Sequence, residues 1–165
     1  MKNKKRLILI FLSLFTALSF AACGSSAQKD GREAPEALQA RLNSSFQSAG
    51  VPEIEAFEKS GKDAKEYAAA PAENIRISVS CDEKGKVASF SCESTGNAEE
   101  WRDYAGAILT AYTSDPEELA RAGKLMKLEA AEREDVGYSS ACKVGDVKVA
   151  VSYASGKRTL TVTEP

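Results

Sequence analysis

The chain has no histidine. That absence removes Ser-His and Cys-His activation of a nucleophile, and it leaves cysteines and carboxylates as the donors for any zinc site. Cysteine is scarce too: there are four, at positions 23, 81, 92 and 142, with no Cys-x-x-Cys spacing. No glycine-rich phosphate loop occurs, so a nucleotide would find no backbone cradle. Basic residues show no excess, with 22 Lys+Arg against 24 Asp+Glu, which argues against nucleic acid, whose binding rests on neutralising phosphates. The sequence assigns no catalytic residue, no metal ligand and no cofactor.

What is present begins at the N-terminus. Lys2, Lys4, Lys5 and Arg6 precede an apolar stretch over 7–20, interrupted by Ser13, Thr16 and Ser19. At 14 residues the stretch falls short of the ~20 that a membrane-spanning helix needs. Ala21, Ala22 and Cys23 follow, then Gly24-Ser25-Ser26. A basic start, an apolar core and small residues before a cut site make a secretory leader.

Leu18-Ser19-Phe20-Ala21-Ala22-Cys23 resembles the lipobox of bacterial lipoprotein precursors, with Phe20 where that family usually carries leucine. The resemblance implies a signal peptide over 1–22, cleavage before Cys23, and a diacylglyceryl (palmitate-type) anchor on the Cys23 sulfur. It implies an extracytoplasmic protein tied to the cell membrane through Cys23, and in a host with two membranes Gly24 favours the outer one. Two acyl chains anchor firmly where one binds reversibly. Residues 23–33 read as a flexible tether, the polar run GSSAQKDGRE after the cysteine reaching about 20 Å.

Residues 34–165 suit a single domain that buries about two-thirds of its unfolded surface. Without the four basic residues of the leader, 18 Lys+Arg face 24 Asp+Glu, a net charge of −6. That gives no basic patch for anionic lipid heads. Cys81, Cys92 and Cys142 are then an odd set, so at least one thiol stays unpaired within a monomer. A bond from Cys142 to Cys81 or Cys92 and three reduced, buried thiols both remain open.

Local patterns give an order of elements. Leu38, Leu42 and Phe46 at steps of four predict a helix over 35–49, stopped by Gly50 and Pro52. Ile54 and Phe57 suggest a short helix over 53–59, and 60–73 reads as a polar, alanine-rich connection. Ile75, Ile77, Val79 and Cys81 alternate with polar residues, and Ala88, Phe90 and Cys92 return after a turn at 82–85, a β-hairpin. Facing both apolar rows inward pairs Cys92 with Ile75 or Ile77 rather than with Cys81.

Asn97 caps a helix to about Thr113 whose stripe is Trp101, Tyr104, Ala105, Ile108, Leu109 and Tyr112. Asp115-Pro116-Glu117-Glu118 opens another, carried toward Arg133 by Leu119, Ala122, Leu125 and Met126. A three-strand meander over 138–162 ends the chain, turning at Gly145-Asp146 and Ser155-Gly156. The expected fold class is α+β: an antiparallel sheet of about five strands, hairpin plus meander, with helices packed on one face.

Chemical motifs are few. Ser140-Ala141-Cys142-Lys143 matches the S-x-x-K string of serine penicillin-recognising enzymes, but on a strand those two side chains take opposite faces, and the companion strings are missing. Glu99, Glu100 and Asp103 fit a helix first turn, and the acidic run 129–135 lacks the alternating ligands of a calcium loop. The aromatic stripe and the Tyr138/Tyr153 pair read as core.

These features favour a membrane-anchored, non-enzymatic lipoprotein whose domain binds a protein or envelope component. From Asn97 onward, a helix pair followed by three antiparallel strands is similar in element order to beta-lactamase-inhibitor-like domains and to small outer-membrane assembly lipoproteins. That resemblance implies an inhibitor-like or envelope-assembly accessory role, with the exposed sheet face (Ser139, Lys148, Ser152, Thr161) as partner surface. A small carboxylate- or cysteine-dependent enzyme is the remaining alternative.

Overall fold

Among the described residues three helices and seven strands follow one another as α1 (Pro35–Ala49), β1 (Glu58–Lys59), β2 (Glu66–Ala72), β3 (Ile75–Cys81), β4 (Val87–Ser94), α2 (Ala98–Thr110), α3 (Pro116–Leu125), β5 (Tyr138–Val144), β6 (Val147–Ala154) and β7 (Lys157–Thr163). The computed structural model describes residues 32–61, 65–126 and 137–165. Cys23, its leader, residues 24–31 of the tether and the acidic run 129–135 lie outside the described residues, whereas Arg32 and Glu33, expected to belong to the tether, are bonded to the domain through Asp82 and Arg41. No helix among the described residues is long and apolar enough to cross a membrane.

The strands form one sheet in the order β1-β2-β3-β4-β7-β6-β5, every neighbour antiparallel. The α+β class is as expected, but the sheet has seven strands rather than about five. Both extra strands come from the stretch read as a short helix and a connection. Alanine has a weak strand preference and proline removes a ladder donor, so EYAAAPA gives little local signal. Pairing with β3 decides the matter: Tyr67 stands opposite Val79 and Ala69 opposite Ile77, and a register shift between Ala69 and Ala72 accommodates Pro71.

The helix expected over 53–59 is absent because α1 claims that backbone. Asn43 Nδ2 donates to Ile54 O (2.9 Å), Ile54 N donates to Asn43 Oδ1 (2.8 Å), and Gln39 Nε2 donates to Ile54 O (3.1 Å). Tyr104 Oη donates to Pro52 O (3.0 Å). A helix would need those peptide groups for its own ladder.

The helix ends follow their capping chemistry. Leu38, Leu42 and Phe46 bury one stripe of α1, which Gly50 closes. Asn97 Oδ1 accepts from Glu100 N (2.7 Å) at the start of α2, and Asp115 Oδ1 from Glu117 N (2.9 Å) at the start of α3. Helix α2 ends at Thr110, slightly short of the expected Thr113. Helix α3 spans Pro116–Leu125, the expected continuation toward Arg133 lies outside the described residues, and two tyrosines meet the carbonyls of Leu125 and Met126. Tyr138 Oη donates to Leu125 O (2.5 Å) and Tyr153 Oη to Met126 O (2.8 Å). Leu125, expected on the apolar stripe, is 45% exposed.

Registers match the sequence pattern closely. Cys92 pairs with Ile77, Cys142 with Val149, Leu160 with Val151, and Tyr138 with Tyr153. Ser155 and Gly156 both have positive φ (53° and 72°), the geometry of a two-residue hairpin turn. At Gly145 a Cβ would stand 2.6 Å from the carbonyl oxygen of Tyr112, so the other turn requires glycine. The inner sheet face and the helices share one core, in which Trp101, Tyr104, Phe46, Phe90, Leu42 and Leu160 are fully buried. All of β5, β6 and β7, and with them the far edge of the sheet, are positioned by this core.

Candidate functional site

With the helices on one side, the opposite sheet face meets solvent, and its residues run across the strands in rows. One row is Ser80, Ser89, Thr163, Lys148 and Lys143; the next is Ser78, Ser91, Thr161, Ala150 and Ala141; a third is Glu93, Thr159, Ser152 and Ser139. Hydroxyls and methyls dominate, so the face is flat, polar and free of large side chains in its middle. A shallow depression of about 380 Å³ lies over β5, β6 and β7, touching Ser139, Ala141, Ser152, Thr159 and Thr161. Lys157 and Glu93 pair at its margin (2.8 Å). Lys143 and Lys148 stand directly opposite each other, a like-charge pair that costs stability unless an anion offsets it. Lys143 has an exposed, loose partner in Asp146 at 3.9 Å, worth little in water. Three of the four residues expected on a partner surface, Ser139, Ser152 and Thr161, line the depression, and Lys148 lies one row away.

Other motif residues are dispersed. Ser140 and Lys143 lie in β5 on opposite sheet faces, so the lysine cannot act on that hydroxyl. Glu99 and Glu100 sit in the first turn of α2 and Asp103 one turn on, as the helix dipole favours. Trp101 and Tyr104 are fully buried. Tyr138 and Tyr153 stack at 5.8 Å with 17° between their planes.

The three thiols are all free. Two strands, β7 and β6, stand between β4 and β5, so Cys142 is about 14 Å from Cys92 by strand spacing, beyond disulfide reach. Cys81, on β3, is one strand farther away. Burial pushes the Cys92 thiol up to about 12, with the Glu93 charge adding to it. Burial also raises Cys81 and Cys142, at Cys142 against the opposing pull of Arg121. A nucleophilic thiol needs the reverse shift. Among the described residues no cluster of three or more Cys, Asp and Glu side chains could hold a metal ion.

One polar constellation escaped sequence reading. Arg41 Nε and Nη2 donate to Glu33 Oε1 (3.0 Å for Nε), while Nη2 also reaches Tyr112 Oη (3.0 Å) and Glu164 Oε1 (3.1 Å). The guanidinium lies 4.0 Å from the Tyr112 ring centroid, and Tyr112 Oη donates to Glu164 (2.9 Å). Burial opposes the Arg41 charge, but Glu33 and Tyr112 outweigh it, so its pKa is raised. Burial, with Glu164 adding and Arg41 opposing, lifts the Tyr112 phenol well above its ordinary range. Every member is paired, and the cluster joins both ends of the folded chain to α1 and the end of α2. Its role is to hold structure together. Arg158 was also missed, although its phase with Leu160 and Val162 marks it; it is 3% exposed and donates to Gly96 O at 2.7 Å.

No protein-family model matches the chain, and neither a curated protein nor a solved structure is similar to it.

Proposed function

We propose that the protein is an extracytoplasmic lipoprotein, anchored to the cell membrane through lipid on Cys23, whose domain is a non-enzymatic interaction module for another envelope protein. The observation that carries the reading is the leader: four basic residues, an apolar stretch, then Leu18-Ser19-Phe20-Ala21-Ala22-Cys23. Anchoring by a diacylated cysteine is strong, and the tether keeps the domain within about 20 Å of the surface. The open, small-residue sheet face supports the interaction role, since a flat face with short side chains lets a partner approach the backbone closely.

Metabolic labelling with an alkyne fatty acid tests this. Wild-type protein takes up label and stays with membranes after a high-salt wash. Cys23→Ser takes up none and is either released or retained as an uncut precursor. Unlabelled wild-type protein, or normal processing and retention of Cys23→Ser, contradicts the reading.

A further inference from the structure

The two edges of the sheet are built differently. On one side β1 is two residues long, β2 carries Pro71 and a register shift, and Glu58 and Glu66 are exposed. Shortness, proline, irregularity and charge are the usual means of blocking further strand pairing. On the other side β5 runs seven residues in continuous register with β6, with no proline and with Lys143 as its single charge.

The phase of its free hydrogen-bonding groups can be read from the turn. A two-residue loop closes on a hydrogen-bonded pair, here Val144 with Val147. Tyr138, Ser140, Cys142 and Val144 therefore direct their peptide groups to β6. Ser139, Ala141 and Lys143 direct theirs outward. We propose that this edge accepts an extended strand of a partner protein, antiparallel to β5, by β-augmentation. The inference rests on reading the domain as an interaction module and adds the β5 edge to the open face as a place of contact.

The geometry also selects the occupant. Helix α3 runs beside β5, with Glu118 accepting from Gly145 N (3.0 Å) at one end and Leu125 O accepting from Tyr138 at the other. Pairing β5 with β5 of a second copy would bring two such helices to within roughly one strand spacing, ~4.8 Å, where helices need ~8–10 Å. A single added strand meets no such conflict. Charge chooses its chemistry. The residue opposite Lys143 shares the face where Lys143 and Lys148 oppose each other, so it is acidic. The residues opposite Cys142, Ser140 and Tyr138 share the helix side, toward the half-buried Cys142 and Tyr138 and the exposed Leu125, so they are apolar.

The pattern, acidic then alternately apolar, defines a probe: a fluorescent, acetylated peptide containing EVTVTV, added to the whole chain in detergent micelles. Saturable binding is expected. Amide exchange at Ser139, Ala141 and Lys143 should be fast in the free protein and slow more than tenfold when the probe saturates. Ala141→Pro, which removes an outward donor and leaves the β5–β6 ladder intact, should weaken binding more than tenfold. Lys143→Glu should do the same, and a KVTVTV probe should restore binding to that variant. No binding, binding indifferent to Ala141→Pro and Lys143→Glu, or protection of those three amides before any probe is added overturns the proposal. Concentration-dependent protection without probe also overturns it, in favour of a second copy. Crosslinking to a partner through the open sheet face, with the edge unresponsive, would overturn the edge and leave the interaction reading standing.

Discussion

The two faces of the sheet obey different rules. On the inner face Ile77, Cys92, Leu160 and Val151 form one row across four strands, all buried, continuous with a helical layer led by Leu42, Phe46 and Trp101. On the outer face the matching positions are serine, threonine and alanine, with charge confined to the margins. The first face is bound by packing, where volume and shape count. The second is bound only by strand preference and solvation, so its composition is free to serve a surface role. Substitutions should separate the faces cleanly, and the following are arranged from the largest effect to the smallest.

Leu42→Ala removes a fully buried side chain from the helical layer and should cost about 2–5 kcal/mol in denaturant unfolding. A loss below about 1 kcal/mol would mean that the inner layer is not the common core described. Asn43→Ala leaves Ile54 N without its acceptor and Ile54 O with Gln39 as its remaining side-chain donor, and should cost about 1–3 kcal/mol. An unchanged unfolding midpoint would show that α1 does not hold the 51–57 segment.

Alkaline titration probes the inner face independently. Burial first, and the Glu100 charge second, push the Tyr104 phenol up to about 12 from its ordinary value near 10. A raised pKa means that the folded state favours the protonated form. Its contribution is therefore complete below about pH 10 and is lost as pH rises toward 12. Tyr104→Phe should flatten the stability–pH curve across that interval, at the expense of the hydrogen bond to Pro52; an unchanged slope contradicts the assignment.

The outer face should behave in the opposite way. Thr161→Lys, in the middle of the open face, should change stability by less than about 0.5 kcal/mol while sharply reducing recovery of a crosslinked partner. A large loss of stability there would show that the face is packed rather than presented. Thiol labelling gives the smallest and cheapest test. Cys92, with its pKa raised to about 12, holds on the order of one part in ten thousand as thiolate at pH 8. Half-buried Cys142 should thus react before Cys81 and Cys92, and labelling of Cys92 first would contradict the register.

Much of this contrast was legible in the sequence. The meander could be placed because its alternation is strict and both turns use residues suited to positive φ, so no other register buries Val149, Val151, Leu160 and Val162 together. The β3–β4 hairpin and the starts of α2 and α3 were readable for the same reason: period, cap and turn agree; α1, which has no side-chain cap, was readable from its stripe and from Pro35 at its start. Strand β2 was not, since Ala68, Ala69 and Ala70 carry no preference that survives without β3 beside them. The 53–59 segment misled because Ile54 and Phe57 have helical spacing, and the side chains that hold it extended are 11 and 15 residues away. The Arg41 cluster unites residues separated by as many as 123 positions, a distance no local pattern reports. The open face was legible from the alternation of the meander, whereas the contrast between the two sheet edges became visible only with the strand order among the described residues.

The most direct test of the account is site-specific photocrosslinking in the native membrane, with the reactive group at Thr161 in one strain and at the exposed Glu55, away from the proposed surface, in another. The account predicts a single protein adduct from position 161 and no comparable adduct from position 55. Equal patterns from both positions, or none above background at 161, would contradict it.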